Sequence, residues 1–135
     1  MLTVLSGCSQ RLPTLTVTFF DVGKGDCILL ECDGHAAMID AGFDNTANDI
    51  LSALADKGID TLDFLLLTHM DKDHVGGADK FLENLTIGAV YAPDYEKDAK
   101  QYQQYVDALA ASGMTAIHPA EPLTLSFAQA QITLL

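Results

Sequence analysis

Asp63-Phe64-Leu65-Leu66-Leu67-Thr68-His69-Met70-Asp71-Lys72-Asp73-His74-Val75-Gly76-Gly77 joins a short apolar run to four metal-ligating side chains and a glycine pair. The run from Asp63 to Thr68 is continuous rather than alternating, the pattern of a strand buried on both faces. The ligands therefore begin where the strand ends. In open α/β sheets, side chains converge at the carboxyl ends of strands, where a rigid scaffold holds the loops. His69, Asp71, Asp73 and His74 offer imidazole and carboxylate, which borderline and hard divalent ions accept. Two such ions about 3.5–4 Å apart form a clamp for hydrolysis of phosphate esters or acyl compounds. Gly76 and Gly77 allow a tight turn into a helix expected over Ala78 to Leu85. A calcium loop does not fit, because it needs an oxygen ligand at position 75, which is Val.

The flanking sequence reads as scaffold for this loop. Leu15 to Phe20, Cys27 to Cys32 and Ala36 to Ile39 are expected strands of an antiparallel meander, joined by turns at Gly23-Lys24-Gly25 and Asp33-Gly34. Ala47, Ile50, Leu51 and Leu54 fall on one helical face, and Gly58 ends that helix. Ile87 to Tyr91 is an expected strand stopped by Pro93. The spacing of Tyr102, Tyr105, Val106 and Leu109 predicts a helix from about Glu96 to Ser112, with a core stripe. Leu123 to Phe127 and Gln131 to Leu135 read as a final hairpin. Cys27 and Cys32 lie on opposite faces of one expected strand, so they cannot pair there and read as buried small hydrophobes.

Thr68-His69-x-Asp71-x-Asp73-His74-x-Gly76-Gly77 resembles the signature of the metallo-β-lactamase fold. With Asp71 where most members carry His, it resembles the extracellular domain of ComEC-type DNA-internalisation competence proteins. Phe19-Phe20-Asp21-Val22-Gly23-Lys24-Gly25-Asp26-Cys27 resembles that subfamily's opening, and Ile39-Asp40-Ala41-Gly42 its "Ile-Asp-x-Gly" turn. The resemblance covers about residues 14 to 135 and implies an α/β (α+β) fold, the N-terminal half of an αββα sandwich. It further implies a phosphodiester substrate, DNA included, rather than a β-lactam. In the expected mechanism of metal-activated water, His69 and Asp71 hold one ion and Asp73 and His74 a second. Asp40 supports both from below, Asp21 and Asp26 are further supporting carboxylates, and Asp73 orients the water. Asp71 enriches the site in oxygen and shifts preference toward manganese, with zinc as the other expected metal. Lys24 is a candidate phosphate contact, weighed against a plain solvated lysine. Family members complete the site with a later Gly-Asp and a later His segment, which nothing here matches; His118 reads as an exposed loop residue. With the strand-like ending Gln131 to Leu135, this leads to the expectation of a C-terminal truncation, an exposed apolar sheet face and a fragment inactive alone.

Leu5-Ser6-Gly7-Cys8 fits a bacterial lipobox, with Cys8 as the lipid site. Residues 1–13 are therefore read as a partial lipoprotein signal and linker, and residues 14–135 as the domain. No stretch approaches the roughly 20 apolar residues of a membrane span, so lipid is the expected anchor and the location extracytoplasmic, at the bacterial surface or secreted. The 19 Asp and Glu against 7 Lys and Arg give a formal net charge of −12. That argues against a broad nucleic-acid-binding surface, though bound divalent ions can reverse the local sign of an acidic cleft. The competing reading is a surface lipoprotein that keeps the fold and binds metal or a DNA-uptake partner without turnover.

Overall fold

The computed structural model describes residues 14–135, and Cys8 with its lipobox lies outside the described residues. Strands β1 (Leu15–Phe19), β2 (Ile28–Cys32) and β3 (His35–Ile39) form the expected antiparallel meander. The turn between β2 and β3 is Asp33-Gly34, with φ of 51° and 83°, the doubly left-handed geometry that matches strand twist in a two-residue hairpin. Helix α1 (Ala47–Asp56) and the short strand β4 (Thr61–Leu62) follow, then β5 (Leu65–Leu66), which lies parallel to β3. Helix α2 (Ala78–Asn84) leads to β6 (Thr86–Ile87), which pairs with β4, and to β7 (Val90–Tyr91), which pairs with β5. Helix α3 (Lys100–Ala111) and the hairpin β8 (Leu123–Phe127) and β9 (Ala130–Leu134) complete the chain. The central sheet has the order β1-β2-β3-β5-β7.

Alternation along β2 divides the core in two. Cys27 and Leu29 join Met38, Leu54 and Phe81 under the helices, whereas Leu30 and Cys32 join Ala37, Phe64 and Phe127 under the β8–β9 hairpin. The two cysteines thus do face opposite sides, both free and buried. Phe64 meets Phe127 edge-on at a centroid distance of 5.8 Å, an arrangement that aligns ring edge with ring face. Val17 is the register partner of Leu30 and shares its face, but the hairpin does not reach it. Leu15, Val17 and Phe19 stay 44%, 43% and 72% exposed, so apolar surface on this face is open at the β1 edge.

Three expected elements are shorter or divided. Only Leu65 and Leu66 of the Asp63 to Thr68 run enter the ladder. Gly88 splits the Ile87 to Tyr91 run between the two sheets, and its backbone lies so close to Asp63 that a Cβ would come within 2.6 Å of that carbonyl. The third helix starts at Lys100, not near Glu96, because Ala99 is extended (φ −152°, ψ 143°) and residues 93–99 turn toward the His69–His74 loop instead. Among the described residues no helix is long and apolar enough to cross a membrane.

Candidate metal centre

Three loops meet at the ends of β1, β3 and β5, and backbone hydrogen bonds stitch them together. Asp40 N–H donates to the Leu66 carbonyl (2.8 Å), Ala41 N–H to the His74 carbonyl (2.7 Å), and Gly42 N–H to the Asp26 carbonyl (2.9 Å). Such contact demands glycine at two places. A Cβ on Gly25 would lie 1.9 Å from the Asp73 carbonyl oxygen, and one on Gly76 would lie 2.3 Å from that of Lys72 and 2.7 Å from the Asp44 nitrogen. Gly25 also has φ +87°, a region that costs any other residue.

Asp40 is the hub of the arrangement. It is 1% exposed and holds φ at 57°, a left-handed conformation that non-glycine residues seldom keep without surrounding constraint. The constraint comes from its carboxylate. Oδ1 accepts from the Thr68 N–H (2.7 Å), and Oδ2 accepts from the Thr68 hydroxyl (2.6 Å) and from His74 Nδ1 (2.8 Å). Because a carboxylate only accepts, the neutral His74 ring must carry its proton on Nδ1, the tautomer that leaves the Nε2 lone pair free. The same logic reaches His69. The Thr68 hydroxyl spends its proton on Asp40, so its oxygen accepts from His69 Nδ1 at 3.1 Å, again freeing Nε2. The two rings lie 3.6 Å apart at 45°. This is the outer support that fixes the tautomer of metal-binding histidines.

His69, Asp73 and His74 bring one donor atom each to within 4.8 Å of one another, and so do Asp26, Asp40 and His74. The first set suits a divalent ion, with Asp73 Oδ2 3.9 Å from the free Nε2 of His74. The second set uses the other side of the ring, where His74 Nδ1 is 2.8 Å from Asp40 and 3.9 Å from Asp26. With Asp40 already accepting three hydrogen bonds, that side is an anchor for the ligand rather than a cradle for an ion.

The remaining residues singled out in the sequence lie around this core. Asp71 stands outside both sets and forms an ion pair with Lys97. The hydrogen bond from the Lys97 ammonium holds the Asp71 carboxyl below the usual carboxylate range and raises Lys97 in turn. Asp21 accepts from Gly23 N–H at 3.2 Å and closes the β1–β2 turn, on which Lys24 is exposed. His118 is exposed and its Nδ1 lies 2.9 Å from the Ala92 carbonyl. Burial, with the nearby Asp40 charge, pushes the Cys27 thiol up to about 12. Tyr95 and Lys97 carry no signal in the sequence, because they sit in a segment without periodicity. Tyr95 Oη accepts from Met70 N–H at 2.8 Å, so these two side chains tie the 93–99 loop to the ligand loop. Thr68 stood beside His69, but its role depends on Asp40 and becomes visible only in three dimensions.

The family model of the metallo-beta-lactamase superfamily matches residues 20–126. Hydroxyacylglutathione hydrolase of Aeromonas salmonicida is 30% identical over 79 residues, which cover 58% of this chain and 30% of that protein. Among solved structures, the chemotaxis sensor ODP, in a peroxy diiron species, superposes with a TM-score of 0.64 at 11% identity over 90% of this chain and 52% of its own. A metallo-beta-lactamase of Cronobacter sakazakii with a HARLDQ motif superposes with a TM-score of 0.50 at 22% identity, over 61% of this chain and 31% of its own. This chain therefore matches between about a third and about half of the length of these relatives. With the family match spanning the ligand loop, the Asp40 turn and strands β2 to β7 around them, the chain belongs to the metallo-beta-lactamase superfamily.

Proposed function

We propose that the protein is a divalent-metal-dependent hydrolase of phosphodiesters, a DNA strand among them. The observation that carries the reading is the pair of free Nε2 atoms on His69 and His74, fixed through Thr68 and Asp40, with the Asp73 carboxylate beside them. A bound divalent ion would polarise the phosphoryl oxygens and acidify a water molecule. Asp73 is the residue that would orient the attacking water and take up its proton. Lys24 adjoins Gly25, whose backbone packs on Asp73, and supplies positive charge at the rim for an anionic substrate. Manganese and zinc are the metals the donors favour: His69, Asp73 and His74 would hold one ion, with Asp71 paired to Lys97 beside them. The resemblance of residues 68–77 to ComEC-type proteins supports a phosphodiester over a β-lactam. The lipobox reading of Leu5-Ser6-Gly7-Cys8 supports an activity outside the cytoplasm, with lipid on Cys8.

The test is hydrolysis of bis(p-nitrophenyl) phosphate and of a chromogenic β-lactam, with manganese or zinc. The expected result is turnover of the phosphodiester alone, reduced at least about a hundredfold by Asp73→Ala. Turnover of the β-lactam alone, or full activity of Asp73→Ala, contradicts the proposal. The withdrawal of Asp71 into an ion pair favours one other reading, a surface protein that binds metal without turnover. Tight metal binding with neither substrate hydrolysed would select it.

A further inference from the structure

The ion pair between Lys97 and Asp71 sits at the edge of a site whose other members point their donors inward. Asp71 occupies a position between the two histidines in sequence and is close enough to feel both His69 and His74, yet its carboxylate is turned to an ammonium. The contact is built rather than incidental, because the loop that carries Lys97 docks at a second, independent point. Tyr95, two residues earlier, accepts the Met70 N–H at 2.8 Å, so neighbouring residues of one loop grip neighbouring residues of the other. Ala99 N–H closes a tight turn onto the Lys97 carbonyl at 2.9 Å, which keeps the segment out of α3 and aimed at the site. Asp73 also contributes to the field that favours the charged lysine.

We infer that Lys97 is a resident cation that occupies the Asp71 carboxylate in place of a second metal ion, so that the lysine decides whether the centre takes one ion or two. An ammonium and a divalent ion compete for the same carboxylate through the same Coulomb attraction. Removing the lysine frees an oxygen ligand and deletes a like charge next to the incoming ion. Lys97 is thus a positioning residue acting through Asp71. The inference rests on the metal-binding reading of His69, Asp73 and His74.

The test is equilibrium dialysis of the whole chain against manganese(II) or zinc(II), with metal quantified per chain, for the wild type, Lys97→Met and Lys97→Met/Asp71→Asn. Circular dichroism checks that each variant is folded, and manganese electron paramagnetic resonance reads coupled pairs of ions. The wild type is expected to bind one ion tightly. Lys97→Met is expected to bind a second at least about tenfold more tightly than the wild type does, with a coupled-pair signal that the double variant loses. Equal stoichiometry and affinity in the wild type and Lys97→Met overturns the inference while leaving the metal site standing. Absence of bound metal from the wild type and Lys97→Met alike overturns both.

Discussion

Asp40 and Cys27 show how single side chains near the centre are set by their surroundings. The Asp40 carboxylate gives its oxygens to Thr68 and His74, and those bonds hold the residue in a left-handed conformation that aspartate tolerates better than most side chains. The motif made Asp40 legible as a support, whereas the Thr68 hydroxyl that relays it to His69 was not, because sequence separates them by 28 positions. Cys27 is held as a neutral thiol, raised from 9.0 to about 12 by burial first and Asp40 second. Its folded value lies above its unfolded one. The stabilisation is therefore complete below pH 9.0 and declines as pH rises toward about 12, since the unfolded chain releases the proton first. Tyr105, raised to about 12 by burial, adds in the same direction. Urea midpoints measured between about pH 8 and pH 11 should fall by the equivalent of up to about 4 kcal/mol from the two groups together, and Cys27→Ala should flatten part of that slope. A wild-type midpoint constant over that range would contradict the assignment.

The loops are the elements on which the site depends, and two glycines of one loop separate conformation from contact. Gly23 and Gly25 both have positive φ, at 77° and 87°. A Cβ on Gly23 meets open space, but one on Gly25 collides with the backbone of Asp73. Gly23→Ala is expected to lower stability by about 1–2 kcal/mol, the cost of the left-handed region alone. Gly25→Ala must also displace a metal-ligand loop and should cost at least about 3 kcal/mol, together with metal binding. Equal unfolding midpoints for the two variants would show that the β1–β2 loop does not rest on Asp73. The meander, the hairpin and the helices were readable because their periodicity reflects which face is buried. The start of α3 was not. The helical spacing runs only from Tyr102 to Leu109, and the stretch before Lys100 is held away from the helix by the contacts of Tyr95 with Met70 and of Lys97 with Asp71, which override a local extension of the helix. Likewise β4 and β6 are too short, at two residues each, for alternation to register.

Over the whole molecule, one mixed sheet separates a helix layer from a hairpin layer and gathers three loops at one edge. The chain carries a formal charge of −12, and four of its carboxylates, Asp26, Asp40, Asp71 and Asp73, are gathered at the centre. Such a concentration of carboxylate is repulsive unless cations neutralise it. Lys97 neutralises part of it from within, and a divalent ion neutralises the rest. Binding of that ion should stabilise the fold by mass action. The open apolar face of Leu15, Val17 and Phe19 lies on the hairpin side of the sheet, away from the helix-side core that holds Cys27 and Val75. The most direct measurement is isothermal titration of manganese(II) and zinc(II) into the wild type and into His69→Ala/His74→Ala. Saturable binding of at least one ion by the wild type, lost in the double variant while its fold persists, is the predicted result. Equal binding by both proteins, or none by the wild type, would contradict the account.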